Sequence, residues 1–131
     1  MTASRSVGLT PGQFAQAAEA EERQLRMQRF GRMSDRDVRT LLAGDPAQAA
    51  PWVRCAAEFG LAAAQVRWGR MLLEGEGVEK DPVLALRWFA RAAAQGDPDA
   101  MNMVGRCHEN GWGTIEDLVI AAHWYQKSAD E

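Results

Sequence analysis

Trp52, Trp88 and Trp124 stand 36 residues apart, and the interval is shared by residue after residue around them. Gly60 pairs with Gly96, Ala64 with Ala100, Gly69 with Gly105, Gly75 with Gly111, and Gly77 with Gly113. Ala49, Ala85 and Ala121 keep the same step, as do Asp45, Asp81 and Asp117. A fixed period of about 20 to 50 residues is the signature of stacked supersecondary units. Such units cannot bury an apolar face alone, so neighbouring copies must pack on one another.

One unit can be read in detail from Ala62 to Gln95. Ala64, Trp68, Met71 and Leu72 fall on one stripe of a 3.6-residue helix. Gly69, repeated as Gly105, interrupts that helix at a cost of about 1 kcal/mol against alanine, which predicts another backbone passing close by. Gly75 and Gly77 end the helix through left-handed conformations. They carry no phosphate-loop signature, because neither a preceding strand nor βαβ spacing accompanies them. Asp81-Pro82 opens a second helix, Asp as N-cap and Pro at the first helical position. Ala85, Trp88 and Ala92 form its packing stripe. Gly96 closes the unit and Asp97-Pro98 begins the next.

The string Ala64-x4-Gly69-x5-Gly75-x-Gly77-Val78-x2-Asp81-x3-Ala85-x2-Trp88-Phe89-x2-Ala92-Ala93-x2-Gly96 resembles the Sel-1-like repeat, a longer relative of the tetratricopeptide repeat. The resemblance runs from about Asp45 to the C-terminus. The second copy departs from it where Thr114 replaces Val78 and Trp112 replaces Glu76. It implies an all-α chain, a right-handed α/α superhelix of helix-loop-helix repeats. It also implies a non-catalytic adaptor or regulator that binds another protein. Some secreted bacterial members carry one disulfide per repeat, and some bind β-lactam antibiotics. Action on cell-wall or β-lactam compounds is therefore a rival reading, and a self-assembling structural module is another.

The expected organisation is a disordered segment over residues 1–9, capping helices over 10–44 and the repeat array over 45–131, about two and a half units. Thr10-Pro11-Gly12-Gln13 reads as a capping box, and Ser34-Asp-Arg-Asp37 as a second helix start ahead of Val38, Leu41 and Leu42. Pro51 lies where Arg87 and His123 lie, inside an expected helix, and should shift that helix's start or kink it.

Net charge of −3 with interspersed Arg and Glu gives no electrostatic case for nucleic acid. The N-terminus has no secretory pattern, and no run approaches the roughly 18 apolar residues of a membrane span. Cys55 and Cys107 sit at different places in the repeat, unlike a stapling disulfide. They read as free buried thiols in the cytoplasm. Cys107, His108 and Glu109 are consecutive and so point to different sides of a helix, which suits neither a metal site nor a Cys-His nucleophile. No catalytic residue, metal or cofactor is expected.

Binding residues are placed by analogy with tetratricopeptide repeats, whose glycine-bearing helix lines the inner groove. Val66, Arg70, Leu73 and Glu74 would face it, followed by Asn102, Arg106, Glu109 and Asn110. Arg70 and Arg106 are in register, either as ligands for an extended or acidic peptide or as ordinary solvated charges. Trp112, in a glycine loop, is either an exposed partner anchor or a ring folded over a neighbouring helix. The periodic tryptophans and Trp68 are expected in the core. On the last helix, from about Leu118 to Ala129, some of Val119, Ile120, Ala122 and Tyr125 are expected to stay exposed and to meet either a second copy, as a homodimer, or the biological partner, the first being favoured.

Overall fold

The computed structural model describes residues 8–131, apart from the side chains at 41 and 42. The described residues form seven α-helices and no strand: α1 (Pro11–Gly31), α2 (Asp35–Leu42), α3 (Pro46–Phe59), α4 (Ala62–Glu74), α5 (Pro82–Ala94), α6 (Pro98–Asn110) and α7 (Leu118–Asp130). The N-terminal segment expected to be disordered falls mostly outside the described residues; Gly8 and Leu9 are exposed and lead into Thr10. Leu41 and Leu42 likewise lie outside as side chains, while Val38 is half-buried against the core.

The helix starts follow capping chemistry. Thr10 and Gln13 form the reciprocal box. Ser34, Asp81, Asp97 and Asp117 each accept a first-turn backbone N–H. Asp45 makes no such bond, yet α3 begins at Pro46 and runs through Pro51 to Phe59. The start is therefore not shifted; Pro51 costs one N–H in a helix held by its neighbours.

The repeat is visible as repeated bonding. In the α4–α5 loop, Glu76 N donates to Met71 O at 2.9 Å and Asp81 N to Leu72 O at 2.8 Å. In the α6–α7 loop, Trp112 N donates to Cys107 O at 2.8 Å and Asp117 N to His108 O at 2.8 Å. Each loop then reaches back one unit. A side-chain carbon at Gly77 would strike the Pro46 carbonyl, and one at Gly113 the Pro82 carbonyl, again 36 positions on.

The mid-helix glycines admit rings. A Cβ at Gly69 would lie 2.5 Å from the Phe89 ring, and one at Gly105 would lie 2.9 Å from Tyr125, the residue in Phe89's place. At Gly69 the three nearest atoms all belong to that ring and none to the backbone that was expected there; at Gly105 the Ala121 carbonyl is the third nearest atom, at 3.3 Å. The ring takes the space because Phe89, fully buried, has nowhere else to pack in the α4–α5 interface. One polar group is sealed in with it. Gln65 donates to Ala57 O at 3.1 Å and accepts from Gln95 Nε2 at 2.9 Å, joining α4 to the ends of α3 and α5.

The tryptophans divide. Trp68 and Trp88 are buried, but Trp52 and Trp124 are only half-buried, contrary to the expectation for a periodic core series. α5 is clasped between α4 and α6, whereas α3 meets the sparser packing of α1 and α2, and α7 packs chiefly on α6. A cation lies over each periodic ring: Arg29 over Trp52 at 5.6 Å, Arg91 over Trp88 at 4.3 Å and Lys127 over Trp124 at 5.3 Å.

A cleft between successive units

The C-terminal half of α4 faces the middle of α6 across a cleft of about 760 Å³. Arg70, Leu73 and Glu74 come from α4, and Met103 and Arg106 from α6. Lys80 and Pro82 enter from the α4–α5 loop and the first turn of α5; Gly111, Trp112 and Gly113 close the far wall. The same approach that seats Gly113 on Pro82 brings these two loops together.

Five of the nine expected residues thus meet in one place: Arg70, Leu73, Glu74, Arg106 and Trp112. Four do not. Val66, only 6% exposed, belongs to the core, because α4 is packed by α3, α5 and α6 and buries a wider arc than one stripe. It borders an adjoining depression that shares Arg70 with the cleft and also includes Arg67, Asp97 and Asp99. Asn102 is exposed one turn before Arg106, outside the cleft. Glu109 accepts the Tyr125 hydroxyl, and Asn110 Nδ2 donates to Arg106 O at 2.9 Å, so both are occupied within the fold. Lys80 and Met103 are cleft residues the sequence reading missed. Their signal was hidden in the loop glycines, whose contact with the previous unit carries no local pattern.

Trp112 is half-buried, packed on the core with the Arg106 guanidinium 5.6 Å over its ring. Of the two readings, the ring folded back is the one found, and its remaining surface still lines the cleft. Arg106 Nη1 also donates to Met103 Sδ at 3.8 Å. Among the described residues no carboxylate pairs with Arg70, Lys80 or Arg106; the ion pairs join Arg23, Arg26 and Arg54 to Glu22 and Glu58.

Two groups on α6 and α7 lose protons less readily than usual. Burial pushes the Cys107 thiol up to about 11, partly offset by Arg106. Burial, then the hydrogen bond and charge of Glu109, pushes the Tyr125 hydroxyl up to about 12. A thiol kept protonated near neutral pH packs as a small hydrophobe, in the place Met71 holds one unit earlier. Cys55 and Cys107 are both free and buried. No helix among the described residues is long and apolar enough to cross a membrane.

On α7, Leu118, Val119, Ile120 and Ala122 are exposed, as is Ile115 before it. Tyr125, the fourth of the residues considered for that surface, is instead half-buried, with its ring against Gly105.

Comparison with known proteins gives the arrangement a family. No curated protein matches the chain. A crystal structure of a Sel1 repeat protein from Oxalobacter formigenes is similar, with 36% identity, a TM-score of 0.66, and coverage of 72% of this chain and 41% of that one. So is the crystal structure of c5321, a protective antigen present in uropathogenic Escherichia coli strains and displaying an SLR fold, with 31% identity and a TM-score of 0.67. That match covers 91% of this chain and 25% of that one. The matched stretch therefore covers less than half the length of either protein. The family model for the Sel1 repeat matches residues 62–97 and 98–131, which are α4–α5 and α6–α7. With more than half of its length in these two units, the chain belongs to the Sel1 repeat family.

Proposed function

We propose that the chain is a non-catalytic protein-interaction module, an adaptor or regulator, which takes an extended segment of another protein in the cleft between α4 and α6. In this reading α1 and α2 cap the array. The carrying observation is the cleft itself. Leu73, Trp112 and the largely buried Met103 line it together with the cations Arg70, Lys80 and Arg106. Apolar contact with a few placed polar groups is what a recognition site needs. The free thiols fit a reducing compartment such as the cytoplasm.

Peptides selected from a random display library on the intact chain test this. Against the double variant Arg70→Glu/Lys80→Glu they should lose at least about tenfold in affinity, the scale of one charged hydrogen bond. Both side chains are exposed, so stability should change by no more than about 0.5 kcal/mol each. Equal affinity for both forms would move binding away from the cleft.

Self-association through α7 is a second reading, favoured by the apolar surface of Ile115, Leu118 and Val119. One comparison weakens it: Val83, Val119's counterpart inside the stack, is itself 54% exposed. Sedimentation decides the matter. The reading expects a dimer at high micromolar concentration that Val119→Glu dissolves, and a strict monomer ends it.

A further inference from the structure

We infer that the segment held in this cleft is acidic, its Asp or Glu side chains flanking a bulky apolar residue. The inference rests on the cleft being the binding surface and specifies what it selects.

The charge balance is the first ground. The whole chain is net negative, at −3, yet three cations meet here against one carboxylate, Glu74. The chain has carboxylates to spare, and none pairs with the three. Cations left without an ion pair at one concave site retain their attraction for an incoming anion, and in a recess that attraction is screened less than on an open face.

The placement of the cations is the second ground. Arg70 and Arg106 are equivalent positions of successive units, and Lys80 stands on the loop between the helices of the first. They are spread over three elements. A compact dianion such as a phosphate is best held by several donors converging on one point, commonly at a helix N-terminus. Here the C-terminal ends of α4 and α6 bring partial negative charge to the cleft, and the one helix start there, that of α5, offers no N–H at Pro82 and has its Leu84 N–H taken by Asp81. Glu74 adds to it. Separated single charges along an extended chain suit this pattern better, and each guanidinium can grip one carboxylate by its planar fork. Leu73, Met103 and Trp112 supply the surface for an apolar side chain between them.

The test uses the intact chain and the peptides selected on it. Their sequences should be enriched in Asp and Glu beside a large apolar residue. In the tightest synthetic peptide, changing the acidic residues to Asn and Gln should weaken binding at least about tenfold. Arg70→Gln/Lys80→Gln should abolish most of that discrimination, and added salt should weaken the acidic peptide more than its neutral form. A photo-reactive residue in each peptide locates it by cross-linking. A neutral peptide that binds as tightly and cross-links to α4, α6 or the 111–113 loop would overturn the acidic preference and leave the interaction reading standing. Peptides that cross-link elsewhere, or a library that yields none, would remove both. A phosphoserine version of the peptide, or a single-stranded oligonucleotide, binding more tightly than the carboxylate form would overturn the choice of ligand chemistry.

Discussion

Replacing Trp88 with alanine is expected to cost about 3–5 kcal/mol of unfolding free energy, the usual penalty for emptying a buried aromatic site. Trp88 is only 7% exposed, on α5, which packs against α4 on one side and α6 on the other. Its loss removes ring contacts on α5 and also the partner of Arg91, whose guanidinium lies 4.3 Å from the ring centre. A cation over an aromatic face adds about 0.5–1 kcal/mol at an exposed site. Trp52→Ala and Trp124→Ala should cost distinctly less, because both residues are less deeply buried than Trp88. Urea denaturation of the three variants gives the order. Equal losses at 52, 88 and 124 would show that the periodic position, and not its packing, sets the energy.

That contrast marks how far a sequence of this kind can be read. The 36-residue step announces the units because each unit's local physics is written locally. Asp81 and Asp97 cap the helices they were expected to cap, Gly75 and Gly111 end them in left-handed conformations, and Ala64, Trp68, Met71 and Leu72 are all buried. What the step conceals is what lies across each residue. Identical register makes Trp52, Trp88 and Trp124 look equivalent, but burial depends on the helices on either side, and those differ. The gap at Gly69 was legible as a close approach; that Phe89 fills it depends on the packing of two helices. The cleft was half legible for the same reason. Arg70, Leu73, Glu74 and Arg106 follow from the tetratricopeptide analogy laid over the helical register, with Trp112 beside them. Lys80 joins them from the α4–α5 loop and Met103 from α6, neither of which the analogy places in the groove. Val66 left the groove because α4 has three neighbours.

The loop contact at Gly113 yields the second large effect. Gly113→Ala is expected to destabilise the chain by about 2–5 kcal/mol, from two separable causes. Gly113 has φ of +73°, where an L side chain pays about 1–2 kcal/mol. Its new methyl group would also press on the Pro82 carbonyl, 2.7 Å from the carbonyl carbon and 3.0 Å from Val83 Cα. Overpacking of this sort costs about 1–3 kcal/mol. The backbone at Pro82 cannot easily retreat. It opens α5, where Asp81 accepts from Leu84 N through its side chain at 3.1 Å and from Ala85 N through its carbonyl at 2.9 Å. Gly96→Ala separates the two causes. Gly96 has φ of +89°, but a methyl group there would touch nothing within 4 Å, so it should pay only the conformational part. The difference between the two variants in urea denaturation measures the inter-unit contact. Because Gly113 and Pro82 also wall the cleft, a surviving Gly113→Ala protein should bind the selected peptides more weakly, while Gly96→Ala should bind them normally. Equal stability losses at 96 and 113, with binding unchanged, would mean that the loop does not hold successive units together and does not shape the cleft.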